Sequence, residues 1–168
     1  LDSRSKKYLN SFDSKQRNKM FPIGVLPYVV VIKNTKKSTI NQYHKWDFLL
    51  KNDLKGKIIL PSSPRFIISV AERINQKNSL RQLLNQEIIY DDKNALDRLL
   101  NSDAKIAIIP YNFCYKYLKI DSRLSYVFPK EGVPLNWNFV LIKSKKYDDD
   151  LYKWINSLAK NAIADKLN

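Results

Sequence analysis

The residues able to do chemistry are few. His44 is the only histidine and Cys114 the only cysteine. A metal cluster or a histidine-assisted triad therefore has little to work with. One cysteine also excludes an internal disulfide. Cys114 lies in Tyr111-Asn112-Phe113-Cys114-Tyr115, where aromatic neighbours predict a buried structural thiol rather than a nucleophile. His44 reads as a solvated residue before Trp46. Asp91-Asp92 would serve as metal ligands or acids in another setting, but helix capping and dipole complementarity explain them more simply. Asp148-Asp149-Asp150 lacks EF-hand spacing and places negative charge at a helix start. That leaves Ser62-Ser63, which follow the apolar run Lys57-Ile58-Ile59-Leu60 and precede Pro64. A strand ending in serines at a helix start offers hydroxyls and backbone N–H groups to whatever lies beyond the sheet.

The elements that would position these groups follow from the pattern. Tyr28–Ile32 is a β-branched strand and Lys33–Tyr43 a polar loop. Lys45 onward predicts a short amphipathic helix, a basic turn at Gly56, and a strand at Lys57–Leu60 buried on both faces. Phe66, Ile67, Val70, Ala71 and Ile74 keep helical spacing, with a second helical segment near Leu80–Leu84. Glu87–Tyr90 is a strand, Asp91-Asp92 opens a helix carrying Ala95, Leu96, Leu99 and Leu100, and Ala104–Ile109 is another buried strand. Pro110-Tyr111-Asn112 starts a helix. Ser125–Phe128 and Asn138–Ile142 are strands, and Tyr147–Asp150 begins an amphipathic helix with Leu151, Trp154, Ile155, Leu158 and Ile163. The expected fold class is α/β, a mixed and mainly parallel sheet flanked by helices.

Composition narrows the class. The chain has 168 residues, 44% hydrophobic and 27% charged, which fits one or two folded domains rather than disorder. No apolar run approaches the roughly 20 residues of a membrane span. The net charge of +14 invites a basic nucleic-acid-binding or interaction domain as the alternative function. The lysines are spread along the chain, however, and no zinc-finger spacing or RNP-like motif is present. Nucleic acid is thus an unlikely partner. An enzyme ranks last, because no nucleophile–base pair or P-loop is visible. No cofactor is called for. The sequence starts at Leu1 with no secretory leader in view, so processing or truncation is expected to have removed a segment.

Three segments carry a resemblance. The run W-D-F-L-L-K-N-D-L-K-G-K-I-I-L-P from Trp46 to Pro61 resembles a signature of extracytoplasmic solute-binding proteins of ABC importers, most closely the spermidine/putrescine-binding branch. Phe21-Pro22 through Asn34 resembles that family's first crossing strand. Phe128-Pro129-Lys130-Glu131-Gly132 resembles its P-K-E-G turn before the returning strand. The resemblance implies one lobe of a two-lobed periplasmic-binding-protein fold. Residues 1–20 would be a polar N-terminal segment, and 21–168 a second-lobe-like domain with crossover strands. It also implies Phe21–Asn34 lying beside Asn136–Lys143. Trp46 is expected to pack its ring beneath the Leu60 strand. The implied partners are a small-molecule solute, an ABC transporter membrane permease and the first lobe missing from this chain, making it a fragment or a reduced relative. The implied location is periplasmic or extracytoplasmic.

In that frame the ligand-binding candidates are the groups at strand ends facing the cleft: Ser62, Ser63, Tyr111, Asn112, Asn136, Trp137 and Asn138. Each has a structural alternative, with Ser63 as a helix cap, Tyr111 in the core and Trp137 over a hydrophobic edge. The chain also departs from the polyamine-binding pattern, in which carboxylates and aromatic rings hold ammonium groups. The acidic positions of that pattern fall at Ser63, Phe66 and Asn138. Glu131 remains, in a turn beside Lys130. The ligand is therefore open between a polyamine, a neutral polar solute and a small anion held by serine hydroxyls and helix-start N–H groups.

Overall fold

The computed structural model describes residues 9–17, 19–34, 37–74, 76–142, 149, 150, 153, 154 and 157. The chain forms two compact units, Pro27–Leu135 and a second built from Leu1–Leu26 with Asn136–Asn168.

The described strands are β1 (Met20–Lys33), β2 (Ile58–Leu60), β3 (Ile89–Tyr90), β4 (Ile106–Pro110), β5 (Leu124–Val127) and β6 (Leu135–Leu141). They form one sheet in the order β3-β2-β4-β1-β5, with β6 also paired to β1. The sheet is mixed, as expected. β2 runs parallel to β3 and β4, while β1 runs antiparallel to β4 and β5. Pairing of β6 with β1 brings together the two segments expected to cross side by side.

In the Pro27–Leu135 unit, helices cover both faces of the sheet. They are α2 (Pro64–Ile74), α3 (Ser79–Leu84), α4 (Ala95–Asn101) and α5 (Tyr111–Ile120), α1 being the turn Ser14–Arg17 in the other unit. Side chains alternate across a strand, and β1 shows the consequence. Val30 and Ile32 join Ile58, Leu60, Phe66 and Val70 on one face. Val29 and Val31 join Ile59, Ala107, Leu99 and Cys114 on the other. All three residues of β2 are buried, which is why that strand reads as continuously apolar. Trp46 is fully buried in the same cluster as Leu60, and its indole N–H donates to the Gly132 carbonyl at 2.8 Å.

Several boundaries differ from the sequence pattern. The segment after Lys45 forms two tighter 3-10 turns, Trp46–Leu50 and Asn52–Leu54, instead of an amphipathic α-helix. Its hydrogen bonds run Lys51 to Phe48 and Leu54 to Lys51. This geometry buries Trp46, Phe48, Leu49 and Leu54 within nine residues. Part of the expected polar loop, Lys37–Tyr43, is likewise 3-10 helix. β3 covers only Ile89–Tyr90, because Glu87 takes a left-handed backbone (φ 53°) while its carboxylate meets Lys55 at 2.8 Å. Asp91-Asp92 do not open α4, which starts at Ala95. β1 runs longer than Tyr28–Ile32, and β4, β5 and β6 are offset by one to three residues from the expected strands. Most of the helix expected after Tyr147 lies outside the described residues, of which Asp149, Asp150, Lys153, Trp154 and Ser157 are helical.

Candidate functional site

The parallel strands β3, β2 and β4 end together. Leu60 is in register with Tyr90, and Ile59 with Ala107. Pro61-Ser62-Ser63, Asp91-Asp92 and Pro110-Tyr111-Asn112 therefore leave the sheet at one carboxyl edge, where open α/β sheets bind their ligands. β1 reaches the same edge from the opposite direction, with Tyr28 opposite Pro110. Four of the expected site residues, Ser62, Ser63, Tyr111 and Asn112, are thus brought to one edge of one unit.

At its centre is a group that the sequence pattern did not assign to it. Asp92 Oδ1 accepts the Ser62 backbone N–H at 3.0 Å, and Oδ2 accepts the Ser62 hydroxyl. Both residues are exposed. Asp91 faces a different task. Its Oδ1 accepts the backbone N–H groups of Asn94 (2.8 Å) and Lys93 (3.0 Å), and its Oδ2 meets Arg98 at 2.9 Å. The Asn94 N–H first, then Lys93 and Arg98, hold the Asp91 carboxyl below the ordinary aspartate range against a smaller opposing effect of burial. The pair divides the labour: Asp91 locks the turn, which leaves Asp92 to face outward.

The Tyr28 ring lies near this carboxylate. Tyr28 packs on Phe66 with ring centroids 4.6 Å apart. Burial chiefly, and the Asp92 charge in addition, raise the Tyr28 phenol above its usual value. Phe66, one of the positions where the polyamine pattern has an acid, is therefore a buried core ring. On the other face of the sheet, Tyr111 forms a triangle with Tyr126 and Phe128, with centroids 5.9, 5.9 and 6.0 Å apart. Burial and the neighbouring Tyr126 hydroxyl raise the Tyr111 phenol. Tyr126 and Phe128 were not among the expected site residues. Beside Tyr111, the Asn112 side-chain oxygen is buried and has no hydrogen-bond partner, an acceptor that a donor group would satisfy.

The serines are less available to an anion than the strand-end pattern suggested. Ser62 already gives its N–H and hydroxyl to Asp92. Pro64 has no N–H to offer. The Ser63 carbonyl takes the Phe66 and Ile67 N–H groups at 3.0 and 3.2 Å. The edge thus presents acceptors and a carboxylate, a chemistry suited to donors and cations.

Asn136, Trp137 and Asn138 lie in β6, within the other unit. Asn136 and Asn138 are exposed there. Trp137 stacks on Phe139 at 6.5 Å, and Phe139 meets Phe12 edge-on at 6.2 Å. His44 is half-buried rather than solvated, and its carbonyl accepts the Lys130 N–H at 2.8 Å. Cys114 is buried, and burial pushes its thiol up to about 12, far from thiolate reactivity at neutral pH. Among the described residues, no three His, Cys, Asp or Glu side chains cluster as a metal site would require. No described helix is long and apolar enough to cross a membrane.

No protein-family model matches this sequence, and no curated protein sequence does. Solved structures do. The spermidine/putrescine ABC transporter substrate-binding protein PotD from Streptococcus pneumoniae superposes with a TM-score of 0.61 at 19% identity, covering 98% of this chain and 58% of that one. The TpPotD lipoprotein of Treponema pallidum gives 0.65 at 15% identity, covering 94% and 54%. The ferric binding protein from Campylobacter jejuni gives 0.61 at 18% identity, covering 94% and 58%. The chain spans little more than half the length of these proteins. Their cargoes differ, so the likeness carries architecture and not ligand. Over the part it spans, the chain has the mixed α/β fold of the periplasmic binding proteins.

Proposed function

We propose that this chain is the ligand-binding lobe of an extracytoplasmic solute-binding protein serving an ABC importer, without catalysis, and that its solute sits at the carboxyl edge of β3, β2 and β4. The observation that carries this reading is Asp92 clasping Ser62 at that edge, an exposed carboxylate with the rings of Tyr28 and Phe66 nearby. The solute is a small amine. Its ammonium group meets Asp92, and its remaining donors meet the Asn112 oxygen and the serine hydroxyls. The second wall of the cleft comes from a further lobe, and a membrane permease receives the loaded protein. Ser63, Phe66 and Asn138 stand where relatives of the polyamine branch carry acids, so spermidine gains little over a singly charged amine.

Calorimetry tests this reading on the chain as it stands. With one wall of the cleft supplied, amines bind weakly, with Kd on the order of 1 mM. Asp92→Asn keeps the acceptor for the Ser62 N–H but removes the charge, and weakens amine binding by about tenfold. Spermidine and a monoamine should differ only by a small factor. Amine binding that survives Asp92→Asn, or a small anion binding more tightly than any amine, would refute the assignment.

A further inference from the structure

The buried side of α5 places Cys114 against the sheet, with Tyr111 and Leu118 packed beside it. Its opposite side is exposed. Phe113, Tyr117 and Ile120 are 61%, 49% and 80% exposed. Their spacing of four and three residues makes them one continuous stripe along the helix. Lys116 and Lys119, both exposed, run along one flank of it. On the other flank, Phe113 and Tyr117 line a groove together with Leu96 and Leu100 of α4, Lys93, Asp92 and Asp97. Asp97 accepts the Asn101 side-chain N–H at 2.9 Å, and Asp92 is the exposed carboxylate assigned above to the amine, so the proposal rests on α5 itself and not on the groove.

Three large apolar side chains in water, edged by lysines, need an occupant that is apolar at depth and negative at its surface. A bilayer containing anionic lipids has that layering: rings and aliphatic groups enter the headgroup boundary while ammonium groups stay with the phosphates. The formal charge of +14 draws the whole chain toward such a surface. We propose that the outer face of α5, through Phe113, Tyr117 and Ile120 with Lys116 and Lys119, docks on an anionic lipid bilayer.

Co-sedimentation of the full chain with vesicles tests the proposal. Vesicles of phosphatidylcholine mixed with phosphatidylglycerol should retain the chain, and vesicles of phosphatidylcholine alone should not. Combining Phe113→Ser, Tyr117→Ser and Ile120→Ser should lower the partition coefficient by about tenfold or more, and Lys116→Gln with Lys119→Gln by about tenfold. These side chains are exposed, so the variants should keep the parent's melting temperature. Failure to bind the mixed vesicles would overturn the proposal. So would a serine variant that binds them as well as the parent, which would reduce the effect to diffuse charge. A dimer abolished by the serine variant, with no vesicle binding by the parent, would overturn it in favour of self-association.

Discussion

Trp46 and Gly132 meet through a single hydrogen bond that ties the 3-10 turn after Lys45 to the turn at Pro129–Gly132. The ring is fully enclosed. Trp46→Ala should therefore cost roughly 3–5 kcal/mol in chemical denaturation, the range for deleting a large buried ring. A loss below about 1 kcal/mol would mean that the ring does not pack as described. Asp91 makes a prediction in pH. Its carboxyl is held below the ordinary aspartate range, chiefly by the Asn94 N–H. The ionised form is thus the one that the fold favours. Its contribution is complete above the unfolded-state value and is lost as pH falls through the lower folded-state value. Asp91→Asn should lower the melting temperature at neutral pH and flatten the acid limb of the pH–stability curve. A parallel drop at every pH would assign Asp91 a role independent of its charge.

At the scale of elements, the turn Pro129-Lys130-Glu131-Gly132 depends on one backbone conformation. Gly132 has φ +84°, and a Cβ placed there would meet nothing within 4 Å. Gly132→Ala should thus cost only the backbone term, about 1 kcal/mol, read from the shift in denaturation midpoint. A much larger loss would indicate a displaced Trp46 partner. That turn entered the sequence reading only through the family resemblance, whereas β2 and α2 were legible because their signals are local: an apolar run between Gly56 and Pro61, and apolar residues at helical spacing. Asp92 was not legible in its role. Its partner Ser62 reaches it only because β2 and β3 pair in parallel with Leu60 beside Tyr90, and no local pattern encodes that register. From the sequence, Asp91 and Asp92 look like equivalent caps; the fold makes one a turn lock and turns the other outward. Phe66 stands where the polyamine pattern has an acid, and the apolar face of α2 holds it in the core, as its helical spacing predicts.

For the whole molecule, the central claim is that one sheet edge binds a cationic solute. The fold brings Ser62, Asp92 and Asn112 to that edge and sends Gly56 and Lys105 to the opposite end of the same strands. A lobe that offers one wall of a cleft leaves the other face of its ligand wet, so weak binding is expected and location is the better readout. The decisive measurement is a titration of a small diamine into isotopically labelled chain, followed by amide NMR. Concentration-dependent shifts confined to Ser62, Ser63, Asp92, Tyr111 and Asn112, and absent in Asp92→Asn, are the predicted result. Shifts centred on Gly56 and Lys105, or no saturable shift at the carboxyl edge, would contradict it.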